Sequence, residues 1–179
     1  HVIAVQNECK ELLLVVDYQQ QETLDPMIYA VNIKSTVESE MFSFHLSQEE
    51  EYLAFYSSTV KEFIYEPNVS LLKAGAFNTL SKVLNIEKLH VNSHLYTSER
   101  LIEEFPGRKF KVERVYGFDK NSIREFKKTI NQGHVTVRTF PSIVDPIRKK
   151  LKITDGGEHY IFATTLCSED RVLIVCSKI

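Results

Sequence analysis

The sequence has little cysteine and little glycine, and neither falls in a pattern. Its three cysteines, Cys9, Cys167 and Cys176, include no CxxC pair. An odd, dispersed set argues against a disulfide framework and fits a reduced, cytoplasmic protein. The six glycines form neither GxGxxG nor GxxxxGK[ST], so no phosphate-cradling loop is legible. There is no GxSxG nucleophile elbow. No apolar run reaches the roughly 18 residues of a membrane span, and we expect neither a membrane partner nor a signal peptide. The chain opens with His1 directly before a strand-like run, which leads us to expect a fragment of a longer protein; a tag remnant before a true start is the alternative.

What is present is enough for a core. At 179 residues with 43% apolar composition, one large domain or two small ones can bury roughly 70% of the surface the unfolded chain exposes. The net charge of −2 hides a gradient: residues 1–60 carry −8, 61–99 carry 0, 100–150 carry +7 and 151–179 carry −1. Such asymmetry points to parts with different partners.

The period of the apolar residues predicts the elements. Runs at 1–6, 9–18 and 27–34 read as a strand meander, with "QQQETLDP" a long hairpin loop and "MFSFHL" a further strand. "SQEEEYLAFY" reads as a short helix capped by Ser47. "EFIYE" is a strand that Pro67 ends. Leu72, Ala76, Leu80, Val83 and Leu84 predict one helix over 69–85, capped by Asn68 or Ser70. "IEKLHVNSHLYTS" alternates as a half-exposed strand, and "LIEEFPGR" suggests a short helical turn. The last 70 residues predict β-α-β-α-β-β. The first of these helices is capped by Asp119 or Asn121, stopped by Gly133, and buries Ile123, Phe126 and Ile130. The second starts at Asp145-Pro146, and the final pair forms a hairpin.

Two groups of residues are candidates for chemistry. Arg108, Lys109, Lys111 and Arg114 lie along one strand and its approach. Arg124, Lys127 and Lys128 lie opposite the apolar stripe of the following helix. Arg148, Lys149 and Lys150 crowd the first turns of the next. Clustered cations of this kind suit a salt-sensitive, phosphate-tracking surface, and Tyr116, Phe118 and Phe140 could stack on bases or belong to core or rim. The second group is Tyr65, Glu66, Asn68 and Lys73 in "YEPNVSLLKAG". They either build a helix start or line a substrate cleft. His90, Asn92 and His94 would share one face of a strand but lack the further ligands a structural zinc requires, so we expect no metal site.

The stretches "FIYEPNVSLLKAG", "LHVNSHLYTSE", "FPGRKFKVERV" and the tail "HVTVRTF…VDPIRKKLKI…FATTL…VLIVCSK" resemble the C-terminal part of bacterial class I S-adenosylmethionine-dependent methyltransferases that carry a THUMP-like C-terminal domain. The likeness extends over nearly the whole chain, and "HVIAVQNECKELLLVV" resembles the close of the methyltransferase part. It implies an α+β fold: a β-meander remnant of a Rossmann-like methyltransferase sheet (1–60), a strand-helix-strand linker module (61–107) and a THUMP-like domain (108–179), the later modules being small α/β sandwiches of ferredoxin-like or THUMP-like kind. It further implies a parent methyltransferase whose S-adenosylmethionine lies in an upstream N-terminal domain, with no catalytic or cofactor residue in this chain. RNA, either tRNA or rRNA, is the implied partner. A non-catalytic protein-interaction or dimerisation module is the alternative, its sticky edge at His90–Tyr96 or in the first meander. The oligomeric state stays open.

Overall fold

A computed structural model describes residues 1–19 and 25–179, so the loop expected over "QQQETLDP" falls mostly outside the described residues. The chain divides into two compact units. The first comprises His1–Phe55, Pro67–Ile86 and Glu104–Gly107; the second comprises Tyr56–Glu66, Glu87–Glu103 and Arg108–Ile179.

In the first unit, β1 (Val2–Val5), β2 (Glu8–Leu12), β3 (Met27–Ile33) and β4 (Ser39–His45) form a sheet in the order β2-β1-β3-β4. The strands are close to those expected, but their order is not sequential. β3 pairs parallel with β1, on the side away from β2. The tight β1–β2 turn places Gln6 and Asn7 at positive φ. β2 ends at Leu12, opposite Val2, with Leu13 still exchanging backbone hydrogen bonds with His1, so the strand expected through residue 18 is shorter than read. Leu12, Leu14, Val15 and Val16 are exposed.

Among the described residues this unit also holds three helices: α1 (Leu46–Glu51), α2 (Val69–Ala74) and α3 (Phe77–Leu84). α1 starts before Ser47, whose hydroxyl instead donates to Asp25 at 2.6 Å. The single helix expected over 69–85 is two helices. Gly75 takes φ 78° at the end of α2, a left-handed cap that costs glycine little and breaks the run. The second helix then needs a new start, and Ala76 offers no side-chain acceptor. Glu49 of α1 supplies it. Its carboxylate accepts the N–H groups of Phe77, Asn78 and Thr79 at 3.0, 2.7 and 2.8 Å. A negative charge there also opposes the positive end of the helix dipole. We expect Glu49→Ala to lower the unfolding free energy by about 2 kcal/mol, and Glu49→Gln by roughly half as much, in a denaturant titration.

The second unit is built on an eight-stranded sheet in the order β10-β11-β12-β9-β6-β8-β7-β5. The strands are β5 (Phe55–Tyr56), β6 (Phe63–Pro67), β7 (Glu87–Lys88), β8 (Tyr96–Ser98), β9 (Gly107–Gly117), β10 (His134–Arg138), β11 (His159–Thr165) and β12 (Arg171–Lys178), with α4 (Lys120–Thr129) and α5 (Val144–Leu151) between the later ones. The order β-α-β-α-β-β is as expected. Asp119 caps α4 through Asn121 and Ser122, as read, but α4 ends at Thr129, before Gly133. α5 begins two residues before Pro146, after Ile143. The half-exposed strand expected over 86–98 is instead β7, a turn and β8, with Leu89, Leu95, Tyr96 and Thr97 buried. β8 lies between β6 and β7 and is not an edge. Residues 101–106 form no helix.

Each face of this sheet has its own core. Tyr116, Ile123, Phe126, Ile147, Leu151 and Leu173 pack on the side covered by α4 and α5. Ile64, Leu89, Leu95, Phe110, Phe162 and Ile174 pack on the other. The fold is thus α+β throughout.

Candidate nucleic-acid interface

A bulge in β9 decides where its cations go. β12 pairs Leu173 with Tyr116 and Val175 with Arg114, then Cys176 with Val112 and Ser177 with Lys111. Glu113 is the extra residue, and one extra residue reverses the alternation of side chains. Lys111 and Arg114 therefore share the face of Tyr116, Leu173 and Val175, which is the helix-covered face. Without the bulge they would lie on opposite faces. Arg114 sits over the Tyr116 ring at 5.4 Å and donates to its hydroxyl at 3.3 Å. That hydroxyl pairs in turn with Thr129 of α4 at 2.9 Å.

On α4, Ile123 and Phe126 are buried while Arg124, Lys127 and Lys128 are exposed, as the 3.6 period requires. On α5, Ile147 and Leu151 are buried and Lys149 and Lys150 are exposed. Arg148, Lys149 and Lys150 occupy its last turn, not its first, because the helix starts at Val144 and stops at Lys152, which is left-handed. Lys127 and Lys128 likewise fall in the last turn of α4. Both sets are thereby favoured by the negative end of a helix dipole. Lys150 lies 4.1 Å over the Phe118 ring, and Phe118 packs edge-on against Phe140 at 4.8 Å. Arg148 is paired with Asp155, and Lys109 donates to the Glu103 carbonyl. The aromatics Tyr116, Phe118 and Phe140 all pack against the helix-side core. Of the candidate cations, Lys111, Arg114, Arg124, Lys127, Lys128, Lys149 and Lys150 are exposed.

Arg108 departs from this set. It points to the other face with Phe110, over whose ring it lies at 5.5 Å, and bonds the carboxylate of Glu66 through Nε at 2.7 Å and through Nη2. Glu66 also receives Nη2 of Arg138 at 2.6 Å. Arg138 was not among the residues the sequence singled out; it lies 72 positions away, and no local signal marks it.

Tyr65 is fully buried in the second unit. Its hydroxyl pairs with Ser98 at 2.9 Å, donates to the Arg100 carbonyl and accepts the Ile102 N–H, both at 3.0 Å. In the first unit, Asn68 caps α2. Its Oδ1 accepts the Leu71 N–H at 3.2 Å and the Ser70 hydroxyl at 2.6 Å, while Nδ2 donates to Glu40 at 2.9 Å. Glu40 is held also by Asn32 and Lys34. Lys73 is exposed on α2 and borders a cavity of that unit lined also by Leu13, Met27 and Tyr29.

His90 and His94 lie in the β7–β8 turn, not on a strand face. His90 Nδ1 accepts the Asn92 N–H at 3.1 Å. Among the described residues no three His, Cys, Asp or Glu side chains cluster as a metal site would require. Burial raises the pKa of Cys167 and pushes that of Cys176 strongly upward, so neither thiol is poised as a nucleophile. No helix among the described residues is long and apolar enough to cross a membrane.

Residues 63–106 match the family model of a ferredoxin-like domain, and residues 107–178 match that of a THUMP domain-like module. The chain is similar to the crystal structure of a putative methyltransferase from Porphyromonas gingivalis W83, with a TM-score of 0.89 and 36% sequence identity over 99% of this chain. The chain spans 45% of the length of that protein. No curated protein matches.

Proposed function

We propose that this chain is the substrate-recruiting, RNA-binding portion of an S-adenosylmethionine-dependent methyltransferase. The reading is carried by one coincidence: the residues 107–178 that match the THUMP-like model are those in which β9, α4 and α5 carry exposed cations. Cations spread over a folded face supply sequence-independent affinity for a phosphate backbone, here tRNA or rRNA. The strand-to-helix turns of the described residues do not fit the methyl donor. None carries more than one glycine, and between β6 and α2 stands only Asn68, directly after Pro67, where a dinucleotide-type turn needs close backbone approach. We therefore place the donor, and the chemistry, in an N-terminal methyltransferase domain of the whole protein, working in the cytoplasm. Terminal strands of that domain (1–60), a linker module (61–107) and the RNA-binding domain (108–179) remain our division of labour.

The test is anisotropy of a structured RNA against salt. We expect replacement of Lys127, Lys128, Arg148 and Lys149 by glutamine to weaken binding about a hundredfold at low salt and to flatten the salt slope by roughly 3. Wild-type binding that ignores salt, or a quadruple variant that binds as wild type does, overturns the reading. A second reading, a protein-interaction or dimerisation module, rests on the exposed Leu12, Leu14, Val15 and Val16 beside the edge strand β2. In the other edge considered for it, His90–Tyr96, residues 90–95 form the β7–β8 turn and only Tyr96 belongs to β8, which lies between β6 and β7. A firm dimer by light scattering without RNA affinity would favour that second reading.

A further inference from the structure

Glu66 sits in the second unit with its side chain 5% exposed, yet it meets two guanidinium groups whose side chains are 40% and 41% exposed. One carboxylate neutralises one arginine, so the triad carries a surplus positive charge at its outer side. The geometry leaves donors to spare. Arg108 gives Nε and Nη2 to Glu66, and Arg138 gives Nη2 to Glu66 and Nη1 to the Val137 carbonyl. Each guanidinium has five N–H groups, so about three remain on each. The two forks are held at fixed positions from within by a single buried acid.

The place differs from the α4/α5 surface. Val135 and Val137 of β10 pack in the helix-side core, so Arg138 points to the opposite side. Arg108 shares its side with Phe110, and Glu66 shares its side with Ile64, both in the core of that opposite face. Thr164, the register partner of Arg138 on β11, is fully buried on the same side, and its hydroxyl meets no protein partner among the described residues. The surroundings are cationic as well. After burial, the charges of Lys88 and Arg138 are what hold the pKa of the His94 imidazole below its ordinary value.

We propose that Glu66 templates Arg108 and Arg138 as a paired-guanidinium receptor for one phosphate of a nucleic-acid backbone. Planar forks recognise phosphate through parallel charge-assisted bonds, and fixing them beforehand removes the ordering cost of binding. The inference rests on the RNA reading above for its occupant, but not for its receptor.

The test therefore has two arms on the full 179-residue chain. In the first, inorganic phosphate is titrated while the arginine Nε–H signals are followed by NMR. We expect saturable shifts at Arg108 and Arg138. We expect Glu66→Gln to abolish the saturation, although that change makes the protein one charge more positive. Absence of shifts, or equal or tighter phosphate binding by Glu66→Gln, overturns the receptor. In the second arm, an RNA with a 5′-hydroxyl end, whose only phosphates are internal, is titrated at several salt concentrations. The charge-neutral pair Glu66→Gln with Arg138→Gln should weaken it about tenfold and lower the salt slope by about one. RNA binding with an unchanged slope in that variant overturns the receptor and leaves the RNA reading standing. Phosphate-shifted arginines in a protein that binds no RNA overturn the RNA reading and leave the receptor standing. Should the double variant fail to fold, Arg138→Lys keeps the charge but not the fork. Several-fold weaker phosphate binding by it supports the proposal, and wild-type binding counts against it.

Discussion

Replacing Asn68 with alanine is expected to lower the unfolding free energy by about 3 kcal/mol, with no change in the proposed RNA affinity for the molecules that remain folded. The side chain does three things. It caps α2, a role whose loss costs roughly 1 kcal/mol. It accepts the hydroxyl of Ser70, which is fully buried and would be orphaned. It donates to Glu40, whose side chain is only 13% exposed. Leaving buried polar groups unsatisfied costs about 1–3 kcal/mol each, and the cation of Lys34 on Glu40 softens only part of that. Asn68→Asp keeps the cap but sets a second carboxylate against Glu40, so it too should destabilise. A denaturant titration followed by circular dichroism reads both. If Asn68→Ala leaves stability intact and abolishes RNA binding, Asn68 is a substrate residue and not a structural cap.

The second large effect is expected at Phe162. Its ring is fully buried, stands edge-on to Phe110 with centroids 5.0 Å apart, and belongs to the core shared with Ile64, Leu89 and Leu95. Phe162→Ala should cost about 4 kcal/mol, from lost apolar burial plus the cavity left between rigid strands. Phe162→Leu should cost about half of that. The residues around Phe162 come from both matched segments: Ile64, Leu89 and Leu95 from 63–106, and Phe110, Val172 and Ile174 from 107–178. One cooperative loss of signal from probes in both segments is therefore expected. Two separate transitions, with only the later segment weakened, would show that this core is not shared energetically.

What the sequence made legible was local. Asp119 at the head of α4, the Ile123/Phe126 stripe and the terminal hairpin each rest on a few neighbouring residues, and each formed as expected. The break at Gly75 was also written locally, as a glycine at a helix end, but the spacing of Leu72, Ala76 and Leu80 bridges it and suggests one helix. The burial of Leu89, Leu95, Tyr96 and Thr97 was not legible, because a polar alternating run reads as half-exposed unless it is known to lie between other strands. The candidate site divides the same way. Exposed cations on α4 follow from the helical period. The shared face of Lys111 and Arg114 does not, because a bulge is set by pairing with a strand some sixty residues on. The meeting of Glu66 with Arg138 depends wholly on tertiary folding.

The segment matched as ferredoxin-like sends its strands β6, β7 and β8 into the sheet of the THUMP-like segment, while its helices α2 and α3 belong to the first unit. The border at residues 106 and 107 marks a change of family model, while β6 and β9 on its two sides are neighbours in one sheet. A gene cut there would strip β9 of its neighbour β6 and bare an apolar sheet face to water. Natural rearrangement of such genes should then carry the two segments as an inseparable pair.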